Sequence, residues 1–109
     1  MSGNVEVIGH KFVFDFGSQA SYELHFIDSR HLEVRVVADV SYPKNTLNRF
    51  DIEMTELGPD LYMVTWEEPQ TGNTVTHVED YAKGMAFANI TDIASRQFWR
   101  LKGVIRPSQ

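Results

Sequence analysis

LYMVTWEEPQTGNTVTHVED, residues 61–80, contains two runs of alternating apolar and polar residues that flank a short segment with Pro and Gly. The runs, Leu61 to Glu68 and Asn73 to Asp80, are rich in Val, Thr and aromatic residues, which favour β-strands. The segment Pro69 to Gly72 is too short for a parallel crossover, so the two strands must pair antiparallel. The stretch therefore predicts a β-hairpin.

The same alternation continues on both sides of this hairpin. Short turn signals such as Gly58-Pro59-Asp60 separate the alternating runs, and no run has the period and length of a helix. The further candidate strands are Lys11 to Phe16, Ser21 to Asp28, His31 to Ala38, Leu47 to Leu57, Lys83 to Ile90 and Arg96 to Ile105. About eight consecutive strands with one apolar face each predict an all-β, up-and-down antiparallel barrel, because closure removes the exposed edges.

The register of the hairpin decides which polar residues point into the barrel. If Glu68 lies opposite Asn73, then Val64 lies opposite His77, and Tyr62 lies opposite Glu79. His77 and Glu79 then share the interior face with Glu68. A slip of one residue would instead turn Thr74, Thr76 and Val78 inward.

The next turn predicts space inside the barrel. With Tyr81-Ala82 as a two-residue turn, Glu79 lies opposite Gly84, and the inward residues that follow are Ala86 and Ala88. These small side chains leave volume near Glu68 and His77, which a ligand pocket requires. The alternative is that Trp66 and the phenylalanines fill the lumen completely.

The same register places Met85 and Phe87 on the outer face of their strand. Exposed large apolar residues in a row are typical of a contact with another protein. We therefore expect a homodimer.

Composition excludes several function classes. The 109 residues suffice for one domain, residues 1–109, and the net charge of -5 with scattered basic residues argues against nucleic-acid binding. There is no cysteine, no basic and apolar leader at the start, and no apolar run long enough for a membrane span, so we expect a cytoplasmic protein without membrane association. No phosphate-binding loop is present, and no cofactor is expected.

Metal binding is not expected either. The histidines show neither the i, i+2 nor the i, i+4 spacing common in metal sites; they are His10, His25, His31 and His77.

Four stretches of the sequence, taken in order, resemble one family of barrels. They are Gly9 to Phe16, Ser21 to Phe26, Trp66-Glu67-Glu68-Pro69 and Lys83 to Phe87. The chain resembles the phenolic acid decarboxylase and MoaF-like (molybdenum cofactor biosynthesis protein F) group of lipocalin-like barrels, the calycins. The resemblance implies a lipocalin-like barrel with an interior pocket.

The resemblance also implies roles for individual residues. In the decarboxylases, the glutamate that matches Glu68 lies inside the barrel and handles a proton of the substrate. The two tyrosines that help to hold the substrate are matched by Phe14 and Phe16, and no arginine matches the one in the loop after the third strand, where this chain has Lys44 and Asn45. Without these groups a substrate carboxylate cannot be oriented in the same way, so the resemblance favours the MoaF-like side of the group.

Three hypotheses follow from the sequence. The first is binding of a small aromatic or apolar molecule in the lumen by Phe14, Phe16, Tyr22, Trp66, Glu68, His77 and Ala86. The second is a lyase or hydratase that acts on a small aromatic or enone-like substrate, with Glu68 as proton donor and His77 or Tyr22 assisting, because aromatic surroundings disfavour an ionised carboxyl group. The third is a purely structural dimer module. The alternatives without a function are that Glu68 is a solvated carboxylate at the rim and that His77 is a half-buried polar residue whose hydrogen bonds are made within the protein.

Overall fold

A computed structural model describes residues 5–108, so residues 1–4 and 109 of the predicted domain lie outside the described residues. Nine strands in this range form one antiparallel sheet with the order β4-β3-β2-β1-β9-β8-β7-β6-β5. The strands are β1 (Lys11–Asp15), β2 (Ala20–Asp28), β3 (His31–Asp39), β4 (Leu47–Asp51), β5 (Glu53–Gly58), β6 (Leu61–Glu68), β7 (Asn73–Asp80), β8 (Met85–Asp92) and β9 (Gln97–Pro107). The described residues include no helix long and apolar enough to cross a membrane.

The sheet wraps into a nearly closed barrel because one strand bends. The predicted strand Leu47 to Leu57 is divided at Ile52 into β4 and β5, so the barrel has nine strands instead of about eight. β4 pairs with β3 and β5 pairs with β6, which places the two halves of the bent strand at the two ends of the sheet order. The backbone N–H of Ile52 donates to the carbonyl oxygen of Arg30 (2.8 Å) at the bend. The all-β barrel predicted from the alternation is therefore confirmed.

The β6–β7 hairpin has the predicted register. Glu68 pairs with Asn73, Val64 with His77 and Tyr62 with Glu79. His77 and Glu79 are buried inside the barrel, whereas Thr76 on the other face is only half-buried. The one-residue slip does not occur.

The β7–β8 register differs from the prediction by two residues. Glu79 pairs with Ala86 instead of Gly84, because the turn contains Tyr81 to Gly84 and not only Tyr81-Ala82. The Asp80 carboxylate accepts the backbone N–H of Lys83 (3.0 Å), and Gly84 has a φ of 65°, a left-handed value that favours glycine. A shift of two residues preserves the faces, so Ala86 and Ala88 still point inward, but Gly84 is a turn residue and not part of the lumen wall.

One end of the barrel is closed by side chains and by the segment before β1. The backbone N–H of Gly9 donates to the carbonyl oxygen of Phe26 (2.6 Å), and that of Val5 donates to Asp60 Oδ1 (2.9 Å). Because Phe26 lies on β2 and Asp60 lies in the turn between β5 and β6, the segment crosses this end. Val7 is buried there, in the same apolar cluster as Phe12.

Candidate functional site

The lumen contains a cavity of about 620 Å³ that opens at the end of the barrel opposite the crossing segment. Its wall comes from most of the strands, and its mouth from the loops that follow β3 and β6. The lumen is therefore not filled by Trp66 and the phenylalanines, as the alternative interpretation required. Trp66 forms part of the wall instead.

The structure brings five of the seven residues predicted for ligand binding to this cavity. These are Phe16, Tyr22, Trp66, Glu68 and His77. Phe14 and Ala86 do not line it: both are fully buried beneath the cavity, with no exposed surface. Ala88 lies two residues further along β8, closer to the mouth, and is the small residue of this strand that borders the cavity.

The cavity borders Glu68 and His77, where the sequence predicts free volume, and Phe14 packs beneath it. The Phe14 ring stacks on the His77 ring at a centroid distance of 5.5 Å, and the Phe16 ring approaches His77 edge-on at 5.9 Å. The Phe16 ring also lies against Gly103 of β9, where a Cβ atom would be 2.7 Å from Phe16 Cδ1. A Cβ atom on Gly103 would lie 2.3 Å from the carbonyl oxygen of Asp15, so glycine is required there. His77 thus forms the floor of the cavity, and Phe14 supports it from below.

His77, Glu79 and Tyr81 form a hydrogen-bonded chain below the floor. His77 Nδ1 lies 2.9 Å from Glu79 Oε2, and the Tyr81 hydroxyl donates to Glu79 Oε1 (2.7 Å). Glu79 has no exposed surface. Burial, followed by the nearby negative charge of Glu79, raises the pKa of Tyr81 far above its usual value, so its phenol remains a donor. His77 thus pairs with Glu79 and not with Glu68, both of which the sequence allowed.

Trp66 lies between His77 and Glu68. Its ring meets the His77 ring edge-on at 4.8 Å, and its indole N–H donates to Glu68 Oε2 (3.0 Å). Thr71, in the turn after β6, donates its hydroxyl to Glu68 Oε1 (3.2 Å). Glu68 is half-buried and lines the cavity. It is therefore neither fully enclosed by aromatic rings nor fully wetted at the rim, the two alternatives that the sequence left open.

Tyr22 and Asp39 form a second polar pair at the mouth. The Tyr22 hydroxyl donates to Asp39 Oδ2 in a short hydrogen bond. Burial, then this hydrogen bond and the negative charges of Asp39 and Glu68, raise the pKa of Tyr22 above its usual value. The phenol of Tyr22 therefore keeps its proton and donates it in the hydrogen bond to Asp39.

The charged residues that line the cavity are all acidic. Asp39, Glu68 and Asp92 contribute carboxylates, and the lining contributed by residues 5–108 contains no lysine or arginine. Three acidic groups around one opening create a negative potential that repels anions. Within the described range, no three His, Cys, Asp or Glu side chains lie close enough together to hold a metal ion.

A larger hollow of about 890 Å³ lies outside the barrel, at the bend of Ile52. It is an open groove bordered by exposed charged side chains of both signs, among them Arg49, Asp51 and Glu53. Phe50 and Trp66 stack at 5.9 Å and separate this groove from the lumen. Because the charges that border the groove are exposed to solvent, the mainly apolar lumen is the better candidate for a ligand site.

Sequence reasoning missed several residues of this site, and four of them matter most for its geometry. Asp39 and Thr71 lie at predicted loops, Tyr81 was assigned to a turn, and Trp99 of β9 lines the cavity near its mouth. For Tyr81 a signal existed, because it continues the inward alternation of His77 and Glu79. The pairing of Tyr22 with Asp39 had no signal in the sequence pattern.

Comparisons with known proteins agree with this architecture. A family model described as MoaF-like matches residues 8–106. A crystal structure from Burkholderia vietnamiensis, described as a "putative beta-lactamase", is similar with a TM-score of 0.81 and 21% sequence identity, over 98% of this chain and 100% of that one. At this identity the likeness concerns the fold alone. No curated protein matches the sequence.

Proposed function

Since this chain belongs to the MoaF-like family, with the match covering residues 8–106, we propose that it binds a small aromatic or apolar molecule inside the barrel. The observation that carries the proposal is the cavity of about 620 Å³ in the lumen, which has an aromatic wall and a few polar groups. This volume is in the range of small-molecule sites, and such sites combine apolar walls with few, well-placed polar atoms.

Blocking the lumen tests this proposal. Ile90→Trp places a large ring on the lumen wall, and we expect it to weaken binding of the neutral fluorophore N-phenyl-1-naphthylamine at least about tenfold. The measurement is a fluorescence titration.

The matched control is Thr76→Trp on the outer face of the neighbouring strand, which should bind the fluorophore as the wild type does. A wild type that does not bind the fluorophore, or an Ile90→Trp variant that binds it unchanged, would contradict the proposal.

A lyase or hydratase remains the second candidate. Glu68 and His77 both border the cavity, which favours it. However, both oxygens of Glu68 already accept hydrogen bonds from residues of the protein, Trp66 and Thr71, which ties this side chain to the wall and the turn. Binding is therefore the primary proposal. The cytoplasmic location expected from the cysteine-free sequence stays a prediction.

We also propose a homodimer through the outer face of β8 and β9. Phe87 is 45% exposed and Phe98 is 51% exposed on this face, and Val104 beside Met85 is equally open. Lys102 lies over the Phe87 ring at 6.0 Å. An exposed apolar row of this kind is typical of an interface.

Phe87→Lys is expected to convert the dimer to a monomer, because it places a second cation beside Lys102 on both copies of the face. Sedimentation velocity measures the change. Thr55→Lys, an exposed position on the distant strand β5, adds the same charge and should leave the dimer intact. A monomeric wild type, or a dimeric Phe87→Lys variant, would refute the interface.

A further inference from the structure

Three carboxylates border the cavity at its open end. Glu68 pairs with Asn73, and Asn73 pairs with Asp92, so the two acidic residues lie at one level of the sheet and point to the same side. Asp39, at the end of β3, accepts the hydrogen bond of the Tyr22 hydroxyl. After burial and the contacts with Asp39, the negative charge of Glu68 also raises the pKa of Tyr22, so Glu68 lies near the same hydroxyl. The three acidic groups therefore share one opening.

No cation of residues 5–108 compensates these three charges. The carboxylates form no ion pair in this range, and no lysine or arginine of the range lines the cavity. The hydrogen bonds that they accept come from hydroxyl, indole and backbone N–H groups, which carry no charge. Outside the lumen, by contrast, Asp15, Glu23 and Glu33 each pair with an arginine, at 3.2, 3.0 and 3.1 Å. The cavity thus presents uncompensated negative charge to a molecule that enters it.

Aromatic rings accompany these carboxylates. Trp66, Trp99 and Tyr22 line the same cavity, and the Trp66 indole N–H donates to Glu68 Oε2 (3.0 Å). An aromatic ring attracts a cation within about 6 Å of its centre, and more strongly where water is excluded. A compact metal ion does not suit the site, because no three His, Cys, Asp or Glu side chains of the described chain lie close enough to coordinate one. Rings beside separated carboxylates favour an organic ammonium ion instead.

The floor of the cavity gives a second, independent indication of a ligand. His77 is 4% exposed, its Nδ1 pairs with Glu79, and its Nε2 has no hydrogen-bond partner among residues 5–108. Because no fully buried side-chain nitrogen or oxygen in this range lacks a partner, Nε2 is reached from the lumen that His77 lines. A partner for Nε2 comes from inside the cavity whether this atom donates or accepts.

The depth of the cavity sets the size of the ligand. Val64 lies opposite His77 and precedes Glu68 by four residues on β6, so the floor and the mouth are about 13 Å apart along the strands. This length accommodates two fused rings and a short side chain.

From this arrangement we propose that the ligand is an arylalkyl amine in its ammonium form, with the cation at the mouth between Glu68 and Asp39 and the rings in the lumen above His77. The inference rests on the proposed binding function and specifies its ligand class. The ammonium group gains from the uncompensated carboxylates and from the rings of Trp66 and Trp99, whereas an anion of the same shape meets only repulsion.

Three matched naphthalenes test the inference. They are 2-(1-naphthyl)ethylamine, which is a cation at neutral pH; 2-(1-naphthyl)ethanol, which has the same shape without the charge; and 1-naphthylacetate, which is an anion. Displacement of N-phenyl-1-naphthylamine measures each affinity. With the wild type at low ionic strength, we expect the amine to bind about tenfold more tightly than the alcohol, and the acetate to bind least tightly.

The dependence on salt is a further readout. Sodium chloride at about 0.5 M shortens the range of electrostatic attraction to a few ångströms, so it should reduce the advantage of the amine. The affinity of the uncharged alcohol should not fall.

Two adjacent glutamates provide a variant and its matched control. Glu68→Gln removes the charge but keeps an acceptor for the Trp66 indole, so the amine should lose most of its advantage while the alcohol binds as before. Glu67→Gln removes the same charge from the exposed face of β6 and should leave the advantage intact. Circular dichroism melting curves establish that both variants fold. The order of affinities and the salt dependence of the wild type test the inference without any variant.

The outcomes separate this inference from the function on which it rests. If neither N-phenyl-1-naphthylamine nor any of the three naphthalenes binds, the proposed function fails. If N-phenyl-1-naphthylamine binds and Ile90→Trp prevents this, the binding function stands. The inference is then overturned if the alcohol or the acetate binds as tightly as the amine, if none of the three displaces the fluorophore, if salt leaves the advantage of the amine unchanged, or if Glu67→Gln lowers that advantage as much as Glu68→Gln does.

Discussion

Glu79→Ala is expected to lower the free energy of unfolding by about 3–5 kcal/mol, because it removes one partner from a buried polar group. Glu79 has no exposed surface and holds both His77 and Tyr81 by hydrogen bonds of 2.9 and 2.7 Å. Without it, two buried polar side chains lose their partner, and the lost volume adds to the cost. Urea denaturation followed by circular dichroism measures the change.

Two controls distinguish the loss of the hydrogen-bonded chain from a general intolerance of this strand. Replacing all three members together, as His77→Phe, Glu79→Leu and Tyr81→Phe, removes the polar atoms and should recover most of the stability. Glu67→Ala, an exposed glutamate of β6, should change stability by no more than about 0.5 kcal/mol. A loss below about 1 kcal/mol for Glu79→Ala would contradict the role of the buried chain.

Phe14→Ala is expected to cost about 3–5 kcal/mol of stability, the range for truncation of a fully buried aromatic side chain. Phe14 is 0% exposed and supports His77 from below, so its removal leaves an apolar hole under the cavity floor. Thermal and urea unfolding both measure the effect.

Phe16→Ala is the matched comparison on the same side of the barrel. Phe16 is half-buried and lines the cavity, so this substitution should cost less stability but weaken binding of N-phenyl-1-naphthylamine. If Phe14→Ala unfolds at the same urea concentration as the wild type, or if Phe16→Ala is the less stable of the two, then Phe14 is not the buried support and Phe16 is not merely a residue of the cavity wall.

The sequence was most informative where turn length and alternation act together. The β6–β7 register followed from a four-residue turn between two clearly alternating runs, and it placed His77 and Glu79 correctly inside the barrel. An antiparallel hairpin with a short loop leaves few registers, and a one-residue slip would expose the apolar face of β6. Local chemistry alone was sufficient there.

The sequence was less informative where a turn or a bend depends on the rest of the fold. The β7–β8 turn is longer than predicted because Asp80 caps it and Gly84 adopts a left-handed conformation, which the alternation does not reveal. The apolar alternation passes through Ile52 without interruption, although the chain bends there to pair with β3 on one side and β6 on the other. Barrel closure imposes this bend, and it is a property of the whole sheet.

The site shows the same division. Glu68, Trp66 and His77 were found from one hairpin, but Ala86 and Phe14 are fully buried instead of lining the cavity, and Phe14 reaches His77 from β1. The position of the free volume depends on which large side chains cross the barrel. A pattern of small residues on one wall cannot predict it.

The most direct test of the central claim is a crystal structure of the protein soaked with N-phenyl-1-naphthylamine. The account predicts electron density for the fluorophore inside the lumen, between Trp66 and the mouth residues Tyr22 and Trp99. Density confined to the outer groove at the Ile52 bend, with an empty lumen, would contradict it.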